Sequence, residues 1–137
     1  MKPPAADGDN AHRDGFHSGG RPDRLPEGAR VVVKVGSSSL TRTDGGLDLN
    51  RIDILAGLIA GMRRRGHDVV LVSSGAVASG LAPLGLDRRP DELRLLQAAA
   101  SVGQGRLAAR WETAMSAYGL VTAQVLLTAH DVAIRSH

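Results

Sequence analysis

Two short polar stretches, each following a run of valine, hold the residue types most able to do chemistry. The first is RVVVKVGSSSL, from Arg30 to Leu40, where Lys34 stands inside the apolar run and Gly36, Ser37, Ser38 and Ser39 follow it. The second is DVVLVSSGA, from Asp68 to Ala76, which ends in Ser73, Ser74, Gly75 and Ala76. Glycine and serine after a strand make a tight turn rich in N–H and hydroxyl donors. A lysine beside such a turn offers a compact positive charge, suited to a phosphate oxygen. The chain has 17 basic residues, of which only Lys2 and Lys34 are lysine. Lys34 is therefore read in two ways, as a cation aimed at a phosphate or as a side chain reaching from a strand end to water.

Other chemistries lack their residues. There is no cysteine, so neither a disulfide nor a thiolate site can form. The chain has no GxxxxGK[ST], no GxGxxG and no HExxH, which removes the common nucleotide and zinc fingerprints. GxSxG is absent too, and no histidine is placed by sequence to activate Ser74. The serines are then hydrogen-bond donors rather than nucleophiles. Phosphoryl transfer suits such a set, because it asks the protein for cations, donors and alignment more than for covalent chemistry. In this reading Lys34 with Gly36, Ser37 and Ser38 serves the phosphates. Ser74, Gly75 and Ala76 hold a small anionic acceptor such as a carboxylate. No metal ligands are assigned. A Ser74 that merely caps the following helix is compatible with the same role.

The elements that carry these turns follow from composition and spacing. The valine runs read as buried parallel strands. Between them, NRIDILAGLIAGMRRRG reads as a helix capped by Asn50, with Asp53 near its positive end and Ile52, Leu55, Ile59 and Met62 on one buried face. Arg63, Arg64 and Arg65 fall in its last turn, where the helix dipole favours cations, and Gly66 stops it. Strand, helix and strand make a βαβ unit whose strands run parallel, so both turns lie at one edge of the sheet. They sit on adjacent strands or one strand apart. The edge at the carboxyl ends of the strands is where open α/β sheets bind ligands. A second helix, from Ala76 to about Leu81, begins directly at the Ser-Ser-Gly turn, and a helix start is a ready place for an anion. Leu84 to Pro90 reads as a loop, and Asp91 to Tyr118 as helix with a break near Gly103 and Gly105. Its small-residue run from Leu95 to Val102 favours close helix packing. Leu120 to Leu127 reads as a third strand and Thr128 to Asp131 as its exit turn.

The whole chain has 137 residues, 42% of them hydrophobic, with a formal net charge of +3, which fits one domain with a core. Residues 1–28 are poor in apolar side chains and are expected to be a disordered tail, with His12 and His17 solvated rather than bound to metal. Residues 29–137 form the domain. The three aromatics, Phe16, Trp111 and Tyr118, and the scattered arginines argue against a nucleic-acid surface. No apolar run is long enough to span a membrane, and the first residues lack a secretory signal, so a cytoplasmic protein is expected.

Taken together, VVVKVGSSSL, VVLVSSGAVASGLAPLG, LLQAAASVGQGRL and GLVTAQVLLTAHD resemble, in order, the amino-terminal part of the glutamate 5-kinases, a branch of the amino-acid kinase family. Where other branches carry a glycine-rich triplet after the second strand, this chain has Ser73-Ser74-Gly75-Ala76. The resemblance implies an α/β three-layer sandwich around a mostly parallel sheet, incomplete here. It implies transfer of the ATP γ-phosphoryl, with Mg²⁺, to the γ-carboxylate of L-glutamate, the first step of proline biosynthesis. By motif, Lys34 falls on the lysine that contacts ATP phosphates, Gly36, Ser37 and Ser38 on the phosphate-side turn, and Ser74 on the serine that binds glutamate. A homo-oligomer and functional coupling to the glutamyl phosphate reductase are implied for the complete enzyme. The residues the family places later, including an aspartate and an asparagine of the glutamate site and a second lysine, have no counterpart here, and VAIRSH follows the family only loosely. The expectation is an inactive, poorly stable chain with an unpaired apolar sheet edge. The alternative is a non-catalytic nucleotide- or anion-binding module, or an interaction remnant that docks on a homologue through its alanine-rich helix.

Overall fold

The computed structural model describes residues 25–128 and Asp131. The expected tail, with His12 and His17, lies outside them except for residues 25–28. Two strands, β1 (Arg30–Val35) and β2 (Asp68–Ser73), pair in parallel, with Arg30 opposite Asp68 and Val35 opposite Ser73. They are direct neighbours, which decides between the two spacings open from sequence. The connection between them carries α1 (Ser37–Leu40) and α2 (Leu49–Arg64). After β2 come α3 (Ala76–Leu81), a short 3₁₀ turn at Ala82–Leu84, and α4 (Leu93–Ser116).

Period-2 alternation sends Val33 and Val35 of β1 and Val69 and Leu71 of β2 to the same core. There they meet Ile52, Ala56 and Ile59 of α2 and Leu107, Trp111, Ala114 and Met115 of α4. The opposite face of the pair carries Val32, Lys34, Val70 and Val72 and is open, with Val32 64% exposed. Among the described residues the α/β fold thus consists of the parallel pair and one helical layer. The valine runs are parallel strands, as their composition predicts, but each is covered on one face only.

Several local expectations change. Helix α2 begins at Leu49 rather than after Asn50, because the Asp48 carboxylate accepts the Arg51 N–H at 3.1 Å and so provides the cap. Asp53 is engaged elsewhere, in an ion pair with Arg110 of α4. On the buried face, Ile52 and Ile59 are joined by Ala56 and Ala60, while Leu55 and Met62 are partly buried beside them. Arg63 accounts for part of the arginine cluster: it donates to the His67 carbonyl and the Asp68 carboxylate, each at 2.8 Å.

Helix α4 runs unbroken through Gly103 and Gly105. A Cβ on Gly103 would lie 1.8 Å from the Ala76 carbonyl oxygen, and one on Gly80 would lie 1.9 Å from that of Ala99. These glycines are therefore places where α3 and α4 touch backbone to backbone, not helix breakers. The third strand expected at Leu120–Leu127 is absent: the segment has no strand beside it, and Val121 is 99% exposed. Strand composition needs a ladder partner, and none is available to it among the described residues. At Thr128 the expected turn is a reciprocal cap. Its N–H and hydroxyl donate to the Asp131 carboxylate, and the Asp131 N–H donates back to the hydroxyl.

Candidate active site

The site begins at the ends of β1 and β2. After Val35 the chain does not make an open turn. Gly36 caps a single helical turn of serines, which Leu40 anchors by burying its side chain completely. The next residues fold back as a loop in which Thr41 bridges Leu47 and the Asp48 N–H donates to the Leu40 carbonyl at 2.8 Å. Arg42 and Asp44 pair within this loop, and Asp44 also accepts the Gly46 N–H at 3.1 Å. These bonds hold the Asp44 carboxyl below the usual carboxylate range, the Arg42 hydrogen bond contributing most.

The second turn is held from three sides. The Ser74 N–H donates to the Val35 carbonyl at 2.9 Å, which ties the two turns together. The Trp111 indole N–H donates to the Ser73 hydroxyl at 3.0 Å, and that hydroxyl donates to the Ser74 carbonyl at 3.0 Å. Gly75 caps α3 with φ of 116°, a left-handed conformation that a side chain rarely adopts. Its carbonyl accepts both the N–H and the hydroxyl of Ser79, each at 3.0 Å. The side-chain cap open to Ser74 is not made: Gly75 takes the N-cap position and α3 has no side-chain cap bond. Among the described residues the Ser74 hydroxyl has no protein partner, and Ser74 is exposed.

A cavity of about 430 Å³ opens between these turns. Ser37 and Thr41 line it from the β1 side, and Ser74, Gly75 and Ala76 from the β2 side. Val77, Ala78 and Leu81 of α3 give it an apolar wall, and Gly45 and Arg89 complete the lining. Of the residues singled out from sequence, Ser37, Ser74, Gly75 and Ala76 meet here. Gly36, Ser38 and Lys34 do not line the cavity. Lys34 lies on the open face of the sheet, and its Nζ is 3.7 Å from where a Cβ on Gly36 would be. Sequence reasoning missed Thr41 and Arg89. Arg89 stands beside Arg88 in sequence, and nothing in their spacing links the pair to Ser74.

A larger cavity, of about 700 Å³, sits before the strands begin, between Leu25, Glu27, Arg65 and His67. It holds neither turn and lies at the amino ends of the strands, away from the edge where open sheets bind ligands. No group of three or more potential metal ligands occurs among the described residues.

A βαβ unit that sets two serine-glycine turns around one cavity at its carboxyl edge defines an α/β protein whose sheet carries a cleft where open sheets take ligands. Comparison with known sequences carries this further. The amino acid kinase family matches residues 29–137, and the chain belongs to that family. It is 58% identical over 111 residues to a glutamate 5-kinase of Streptomyces coelicolor, a match covering 81% of this chain and 30% of the relative. It is 55% identical over 115 residues to a glutamate 5-kinase of Salinispora arenicola, covering 84% of this chain and 31% of the relative. A glutamate 5-kinase of Rhodococcus opacus is 58% identical over 106 residues, 77% of this chain and 29% of the relative. The chain thus spans about 30% of the length of these relatives.

Proposed function

We propose that this chain contributes the phosphate turn and the acceptor wall of an ATP-dependent kinase that phosphorylates the γ-carboxylate of L-glutamate. The product is γ-glutamyl phosphate, and the reaction opens proline biosynthesis. The observation that carries this reading is the single cavity shared by Ser37 of the first turn and Ser74, Gly75 and Ala76 of the second. The names of the relatives supply the substrate. In this mechanism Lys34, with the Gly36, Ser37 and Ser38 turn, draws the nucleotide's phosphates to the end of β1. The unpartnered Ser74 hydroxyl holds glutamate, and Gly75 and Ala76 bring backbone close to it. The two turns are tied together at Ser74–Val35, so acceptor and phosphates meet in fixed register, which is most of what phosphoryl transfer asks of a protein. Magnesium would arrive on the nucleotide, because Mg²⁺ commonly keeps its waters and uses substrate phosphate oxygens. A homo-oligomer, and coupling to the reductase that consumes γ-glutamyl phosphate, belong to the same proposal.

Amide-resolved NMR of the 137-residue chain tests the assignment of the turns. ATP with Mg²⁺ is expected to move the signals of Gly36, Ser37 and Ser38, and L-glutamate those of Ser74, Gly75 and Ala76. Lys34→Ala should weaken the ATP response about tenfold or more, and Ser74→Ala the glutamate response by a similar factor. Reversed effects would overturn the assignment. ATP binding that is blind to glutamate would point to a nucleotide-binding module without turnover.

A further inference from the structure

The cavity between the two turns has one charged residue in its lining, Arg89. Among the described residues no carboxylate lies within ion-pair distance of it, as is also the case for Arg64, Arg65, Arg88, Arg94 and Arg106, but of these only Arg89 lines the cavity. In sequence Ser74 stands just before α3 and Arg89 follows it, while Val77, Ala78 and Leu81 of α3 form the apolar part of the same wall. The cavity lining therefore combines a serine, an aliphatic surface and one arginine without an ion-pair partner. That set complements a short aliphatic chain that carries more than one carboxylate. A guanidinium presents a planar fork that matches a carboxylate with two parallel hydrogen bonds, which a lone ammonium cannot do.

We propose that Arg89 is a specificity-determining residue that holds the α-carboxylate of glutamate, the one that does not accept the phosphoryl group. This rests on the reading of the cavity as a glutamate site. The role separates the two cations of the region: Lys34 serves phosphate from the end of β1, and Arg89 fixes the acceptor's far end. It also selects the substrate. An acceptor with a γ-carboxylate but no α-carboxylate would leave the guanidinium unpaired and bind less well.

The test compares L-glutamate with 4-aminobutyrate, which keeps the amine and the γ-carboxylate and lacks the α-carboxylate. Both are titrated into the 137-residue chain and followed at the Ser74, Gly75 and Ala76 amides. The unaltered chain is expected to prefer glutamate by about tenfold. Arg89→Gln should bring that ratio close to one while leaving the affinity for 4-aminobutyrate unchanged, and Arg89→Lys should restore part of the preference. Arg89 lies in an exposed loop, so circular dichroism of the variants should match that of the parent. If Ser74→Ala weakens glutamate binding but Arg89→Gln leaves the ratio intact, the role of Arg89 is overturned and the glutamate site stands. If glutamate produces no saturable shift in the unaltered chain, the glutamate reading itself falls, and Arg89 with it.

Discussion

At the scale of single residues, the serines divide by what they already bond. The Ser73 hydroxyl is spent between Trp111 and the Ser74 carbonyl, and that of Ser79 on the Gly75 carbonyl. The Ser74 hydroxyl, between them, bonds to no other described residue. Sequence marked all of Ser73-Ser74-Gly75-Ala76 as one turn, but it could not divide the labour, because that depends on a tryptophan 38 positions away. Lys34 was legible as an unusual cation in an arginine-rich chain, and its place on the open sheet face was not, since strand alternation gives two faces without saying which one is covered. One residue-scale consequence concerns acid. Asp44 is held below the usual carboxylate range, so its folded form binds a proton less readily than its unfolded form. The support it gives the loop from Thr41 to Leu47 is complete above the ordinary carboxylate range and is lost as pH falls through the depressed value. The Gly46 amide signal should shift in that acid window, and Asp44→Asn should remove the step.

Among the elements, α3 depends most on its neighbour. It is six residues long, too short to hold itself together in water, and it rests on α4 through the Gly80 and Gly103 contacts. The alanine-rich run from Leu95 to Val102 was visible in sequence as a close-packing surface. Gly103 and Gly105, just beyond it, suggested only a break, because intrinsic propensity counts the missing side chain as a cost and does not see the backbone that takes its place. Gly103→Ala should force α3 away from α4, lower stability by about 1–3 kcal/mol, and move the Ser74–Gly75 turn that α3 follows. Chemical denaturation checks the first effect, and weakened glutamate binding the second. If neither changed, α3 would not be held as described. Helix α2 and strands β1 and β2 were readable because each carries its own signal, a 3.6-residue apolar period or a valine run, although the cap of α2 was read two residues late. Leu120–Leu127 has strand composition too, but a strand is a property of two segments, and sequence shows one at a time.

For the molecule as a whole, the open sheet face matters most. Val32, Val70 and Val72 are 48% to 64% exposed on one side of the β1–β2 pair, and Val125, Leu126 and Leu127 are 68% to 74% exposed beyond α4. Exposed apolar surface beside unpaired strand edges favours association between chains. The 137-residue chain should therefore self-associate with rising concentration, seen by light scattering during size exclusion. Val70→Lys, on that open face, should reduce it. A monomer that unfolds in one cooperative thermal transition across the same concentrations would refute this. No helix among the described residues is long and apolar enough to cross a membrane.

The hydrogen bond from Trp111 to Ser73 has an optical consequence. Trp111 is the chain's one tryptophan, so its fluorescence has a single origin, in an indole whose N–H bonds to the residue next to Ser74. A ligand that draws on Ser74 pulls on the carbonyl that the Ser73 hydroxyl holds, and through it on the indole. Emission wavelength and intensity should then respond to any movement of the Ser73–Gly75 turn, and the unfolding of the core around Trp111 reports through the same chromophore.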